Sequence, residues 1–244
     1  MAHHKQNEDV KLNAGTVSVD GSSNTAIGDG GNTNYTKFDA TGHQTMLGSA
    51  QPWDDLRIEP TLRSTGPNIP TFEQWFDDNG IGDTGSTRGI YLYSFDDSAT
   101  EKEVFFTMQL PHDWNCDDIY LHVHWIGAVA DTTSAPRWGL EFNWKEIGAT
   151  FGAAGIIYTD GKNYIDGTTD DANVVAGKHY ISKFTVQSPD TTQDGMSSIL
   201  IGRLFRNSGD VLDTYNASGA KCGLLYIDAH YQRNSIGSND EYVK

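Results

Sequence analysis

The chain reads as an all-β protein, a jelly-roll-like antiparallel β-sandwich preceded by an extended N-terminal arm. Three observations point there. Ile119 to Ile126 and Arg137 to Lys145 alternate strictly: Ile119, Leu121, Val123 and Trp125 share one face, as do Trp138, Leu140, Phe142 and Trp144. A period of two sustained over such runs marks a half-buried strand. Similar runs recur along the chain between turns rich in Gly, Asp and Ser, giving roughly eight to ten strands. No amphipathic helical pattern of about ten or more residues competes. Long loops between the strands favour a jelly roll over a meander barrel, and no fixed repeat supports a propeller or solenoid.

Taken in order, residues 1–50 form the arm and a bridge, and residues 51–244 the sandwich domain. Ala14 to Thr36 is rich in Gly, Ser, Asn, Thr and Asp, with Thr16–Val19 at most one short strand. Such a stretch buries too little apolar surface to order alone, so it is either a flexible arm or one that orders along a partner. Val10, Leu12, Val17, Val19 and Ile27 are its candidate plugs. Trp53, Leu56 and Ile58 suggest a strand entering the core. Thr71–Phe76 follows Pro70 and precedes Gly80, which suits a short helix or a short edge strand. Asp77, Asp78 and Asp83 lack the spacing of a calcium loop and read as a solvated turn.

The core strands then follow as Gly89–Phe95, Glu103–Leu110, Ile119–Ile126, Trp138–Lys145, Ile156–Tyr158, His179–Val186, Ser197–Phe205 and Cys222–Tyr231. Asp160-Gly161 is a hairpin-type turn signal. The tail from Arg233 is polar and reads as peripheral.

Composition narrows function. Asp and Glu total 33 against 17 Lys and Arg, a formal charge of -16. That field repels phosphate backbones and argues against nucleic-acid binding. No apolar run approaches the ~18 residues of a membrane span, so no membrane partner is expected. Cys116 and Cys222 have no metal-motif spacing; a bridge between them stays open, and Cys222 reads as a small buried residue. Neither a Gly-x-Ser-x-Gly elbow nor a phosphate-binding glycine loop is present. No catalytic residue and no cofactor is therefore assigned.

One constellation is chemically suggestive. His122 and His124 stand at strand spacing, so both imidazoles project to one face. Asp228 and His230 repeat that spacing near the C-terminus. If the two strands are neighbours, His122, His124, Asp228 and His230 converge as a His/carboxylate metal set, of the kind a cupin-like metal-dependent enzyme would use. The glutamate that follows the histidine pair in cupins is missing. The competing reading is that they line the polar side of a sheet, and it is the weightier one, so no metal is expected. Tyr91, Tyr93, Trp114, Tyr158, Tyr164 and Tyr180 are too many for one core and raise the prospect of a glycan platform or a subunit interface. Arg203 and Arg206 lie on opposite faces of one strand, and one of them should hold a fixed ion pair.

The run from Asn34 to Leu56 (NYTKFDATGHQTMLGSAQPWDDL), HVHW at 122–125, RWGLEFNW at 137–144 and GLLYIDAHY at 223–231 together resemble virion-associated proteins of tailed bacteriophages and environmental viruses. The resemblance covers the chain beyond about residue 30 and carries no catalytic motif, so no site residue is transferred. It implies a location in the virion and a structural role: a capsid decoration or cement protein, a head fibre, or a tail component. It also implies a homotrimer attached through the N-terminal arm to other virion proteins such as the major capsid protein; a host surface glycan is the ligand that the exposed aromatics would take.

Overall fold

A computed structural model describes residues 10–12, 15–19, 25–28, 33–63, 65–77, 88–98, 100–165, 169–171, 173–189, 197–238 and 241. The acidic turn at 78–83 falls outside these residues, as do the side chains of Val10, Leu12, Val17 and Val19.

The N-terminal region holds more strand than its composition suggests. β1 (Val10–Leu12), β2 (Gly15–Val19), β3 (Thr25–Gly28), β4 (Tyr35–Phe38) and β5 (Gln44–Leu47) form a five-stranded antiparallel meander in sequence order. The expectation of at most one short strand at 16–19 is corrected. Each strand is too short for a readable alternation, and backbone pairing carries the sheet. Its last strand joins the sandwich through the C-terminal tail. Thr45 bridges Ser235, Met46 N donates to Asn234 O at 2.7 Å, and His43 Nε2 donates to Gly237 O at 2.9 Å. The tail is thus a tie between the two sheets, not a peripheral end.

The sandwich begins with β6 (Trp53–Ile58) and β7 (Thr71–Asp77). The helix option for Thr71–Phe76 is overturned: β7 is an edge strand paired with β8 (Gly89–Asp96), and no α-helix forms among the described residues. A six-residue aromatic run satisfies either period, and the free edge of β8 decides it. The remaining elements are β9 (Glu103–Gln109), β10 (Ile119–Gly127), β11 (Asp131–Thr132), β12 (Trp138–Lys145), β13 (Gly155–Tyr158), β14 (Asn173–Val174), β15 (His179–Val186), β16 (Ile199–Arg206) and β17 (Lys221–Gln232). Gly161 does turn with φ 72°, yet the chain runs on to β14 instead of returning as a hairpin.

Eight of these strands wind as a jelly roll. One sheet runs β8-β17-β10-β15 and the other β9-β16-β12-β13, every pair antiparallel. The first strand of the set pairs with the last, the second with the seventh, the third with the sixth and eighth, so consecutive strands alternate between sheets except β12 and β13, which pair within one sheet. β17 is long enough to serve two partners on its other edge. Lys221–Leu224 pair with β8, and Ile227–Gln232 pair with β6.

The two sheets close on one core. Leu121, Val123, Trp125, Phe184 and Ile227 from the first meet Val104, Phe106, Trp138, Leu140 and Leu204 from the second. Two of the buried tryptophans have their indole N–H satisfied by serine: Trp125 Nε1 donates to Ser182 Oγ at 3.1 Å and Trp144 Nε1 to Ser198 Oγ at 2.9 Å. Gly139 is required by close packing, because a Cβ there would strike the Phe205 ring at 2.2 Å. Of the surplus aromatics, Trp114 and Tyr180 belong to this core, whereas Tyr91 and Tyr158 are exposed. Cys116 and Cys222 are both buried and are not bridged to each other, and burial pushes the Cys222 thiol up to about 12.

Arg206 and Asp213 make an ion pair inside the fold. Arg206 Nε and Nη2 donate to Asp213 at 2.9 and 2.8 Å, Nη1 donates to Phe95 O at 3.1 Å, and Nη2 also donates to Tyr215 O. Arg203, on the opposite face, pairs with Glu103 at 2.6 Å and Glu141 at 2.8 Å.

Candidate functional site

Because β10 faces the core through Ile119, Leu121, Val123 and Trp125, its other residues face away from the sandwich. Tyr120, His122 and His124 are therefore on the outer side of the sheet. β17 is the direct neighbour of β10, with Tyr120 opposite His230, His122 opposite Asp228 and His124 opposite Tyr226. The His122–His124 pair and the Asp228–His230 pair singled out in the sequence therefore lie on neighbouring strands.

A β-bulge makes that meeting possible. Strict alternation would put Cys222 and Leu224 on the same face as Tyr226, Asp228 and His230. The register shifts between His124 and Trp125, so that Leu225 has no partner on β10. Cys222, Leu224, Ile227 and Ala229 all then reach the core, while Tyr226, Asp228 and His230 turn outward.

The site centres on Asp228, only 4% exposed. His124 Nε2 donates to Asp228 Oδ2 at 2.8 Å, and His122 Nδ1 lies 3.2 Å from Oδ1. The second approach is close enough for attraction but is not aligned as a hydrogen bond, so Oδ1 is buried without a donor. Burial alone would raise the Asp228 pKa; the two imidazoles outweigh it and hold the group down at about 2. The carboxylate is charged across the ordinary pH range and can only accept.

His179 is the participant that sequence reasoning missed. Its Nε2 lies 2.8 Å from His124 Nδ1. Burial, and then the neighbouring His124, lower its pKa from the ordinary value and favour the neutral ring. With His124 Nε2–H given to Asp228, a neutral His124 has a bare Nδ1, which accepts from His179 Nε2–H. The available signal was the outward set His179, Ile181 and Lys183 on β15, which pairs with the other edge of β10.

His230 stands apart from the Asp228 cluster. Its Nδ1 donates to Asp55 Oδ1 at 2.6 Å, and its ring stacks on Trp53 with centroids 4.7 Å apart and planes at 5°. It meets His122 only face to face, at 5.4 Å. Trp53 also departs from expectation. It is 45% exposed and roofs this outer face, while Ile58 from the same strand enters the core. Tyr226 stacks on His124 at 4.0 Å and 12°.

Together these residues line an open groove of about 390 Å³, with Trp53, Tyr120 and Tyr226 as aromatic walls, Asp55 and Lys183 as charged members, and the His122–His124–Asp228 cluster at its base. Chemically the groove offers aromatic faces for stacking, opposite charges, imidazole nitrogens and carboxylate acceptors. Neither a comparison with models of known protein families nor one with curated proteins finds a match for this chain.

Proposed function

We propose that this chain is a structural protein of a phage virion, a capsid decoration or head-fibre component in which the jelly roll is the body and the N-terminal region the attachment element. The observation that carries the reading is the division of the chain. A separate five-stranded sheet precedes the sandwich and is tied to it through β5 and the tail. An attachment element of this kind can bind a particle without disturbing the jelly-roll core. In this reading the protein is not an enzyme, and its partners are the major capsid protein and other copies of itself. Ile156, Tyr158, Ile199 and Ile201 leave the outer face of the β13-β12-β16-β9 sheet partly apolar, which suits a homotrimer contact.

The test compares the full chain with residues 34–244 for incorporation into particles, with circular dichroism to show that the shorter chain keeps its sheet. The shorter chain should fold and fail to attach. Normal incorporation would sink the attachment role.

The groove favours a second reading, binding of a host surface glycan. Trp53 and Tyr120 present ring faces 5.5 Å apart beside the polar groups Asp55 and Lys183. Sugar rings stack on such faces while their hydroxyls bond to flanking charges. A glycan array read with the wild-type chain and with Trp53→Ala should show a signal that the substitution removes. A signal that survives Trp53→Ala places the glycan elsewhere.

A further inference from the structure

We infer that His122, His124 and Asp228 form a binding site for one divalent first-row transition-metal ion on the outer face of the jelly roll. The donor atoms of the three residues lie within 4.8 Å of one another. Two strands in register bring them there, with His122 directly opposite Asp228. A pair of imidazoles with one carboxylate suits zinc, cobalt or iron(II), whereas calcium and magnesium take oxygen ligands.

The carboxylate carries the second argument. Asp228 Oδ1 is buried and has no aligned donor, although His122 Nδ1 is only 3.2 Å away. A cation placed between the imidazoles and the carboxylate would satisfy this oxygen, replacing the unaligned His122 approach and the His124–Asp228 hydrogen bond with bonds to the ion.

The surroundings match those of a metal ligand set. A metal-bound histidine usually has its other ring nitrogen fixed by a hydrogen bond. When His124 Nε2 turns to an ion, its ring proton moves to Nδ1, 2.8 Å from His179 Nε2, which then accepts. Tyr226, stacked at 4.0 Å, holds the ring plane. Three protein ligands leave coordination positions free, and they open on the groove, as in sites that bind an exchangeable ligand.

Two other charged clusters are neutralised differently, the first by permanent cations and the second by an exposed partner. Glu101, Glu103 and Glu141 are bonded to Arg203, and Glu103 also to Arg63. His230 is committed to the largely exposed Asp55.

The inference is independent of the virion reading, because it concerns the purified chain in solution. The full chain, with His3 and His4 replaced by alanine to remove a competing terminal pair, is stripped by chelator and titrated with Zn2+ and with Co2+. One equivalent per chain should bind, with visible Co2+ absorption. Asp228→Asn and His122→Ala should abolish binding, and His230→Ala should leave it unchanged. His179→Ala should weaken binding roughly 10- to 100-fold. A folded chain that takes up neither ion, or an Asp228→Asn chain that binds as the parent does, overturns the site. Should the substitutions unfold the protein, imidazole nitrogen spectra of the parent chain decide. Zn2+ must shift His122 Nδ1 and His124 Nε2 and leave His43 and His112 unmoved. Shifts confined to other histidines, or none at all, overturn it equally.

Discussion

Asp213 and Asp228 are both buried carboxylates next to cationic or basic partners, yet they sit in opposite circumstances. Asp213 receives both of its Arg206 bonds inside the fold and a further one from Arg137 N at 3.0 Å. Every guanidinium nitrogen of Arg206 is also used. Asp228 meets two imidazoles, keeps one oxygen without an aligned donor, and lies at the base of a groove. A saturated pair built on a permanent charge has nothing left for a ligand. Imidazoles can surrender a proton and rebond, so the unsaturated cluster can change partners.

The largest way to break the comparison is at the interior pair. Asp213→Ala should cost about 3–5 kcal/mol, because Arg206 stays buried and charged. Urea denaturation measures it, and replacing Arg206 with Met in the same chain should recover much of the loss. A cost below about 1 kcal/mol would mean that the pair is not the structural lock described here.

At the outer cluster the effect is smaller and depends on pH. The folded Asp228 pKa of about 2 lies below the ordinary 3.8. The stability it contributes is therefore present above pH 3.8 and is lost as the pH falls through about 2. Asp228→Asn, measured without metal at neutral pH, should cost on the order of 2 kcal/mol. That gap between the two proteins should close on acidification through the same window. If the gap stays constant down to the lowest pH at which both remain folded, the imidazole–carboxylate interaction does not act as described.

The smallest effect sharpens the contrast within the groove itself. Asp55 is 63% exposed at its side chain, although it holds His230 at 2.6 Å. Asp55→Ala should change stability by less than about 1 kcal/mol, since solvent screens such a pair. A thermal melt shows this, and a larger loss would make His230 a structural member of the site.

Much of the fold was legible because alternation reports burial directly. Glu103–Leu110 placed Val104, Phe106, Met108 and Leu110 on one face, and all four are buried. Trp138, Leu140 and Trp144 behave likewise. The N-terminal strands were not legible, because β1 to β5 are only three to five residues long and show no sustained alternation. Trp53 misled for a related reason. A large aromatic residue at the start of a strand reads as core, but here it roofs a groove over His230 and Tyr120. For the candidate site, the residue types and spacing of His122, His124 and Asp228 were visible, whereas His179 stands out only once β15 is known to border β10.

The sequence by itself determined the β class, the core-facing side of β10 and β12, and the outward placement of two histidines, because these follow from local period and burial. Only the tertiary structure decided which strands are neighbours, that a bulge at Leu225 turns Asp228 toward His122, and that His230 leaves for Asp55. The physical reason is that strand pairing joins residues more than a hundred positions apart, and a one-residue slip moves every side chain to the other face.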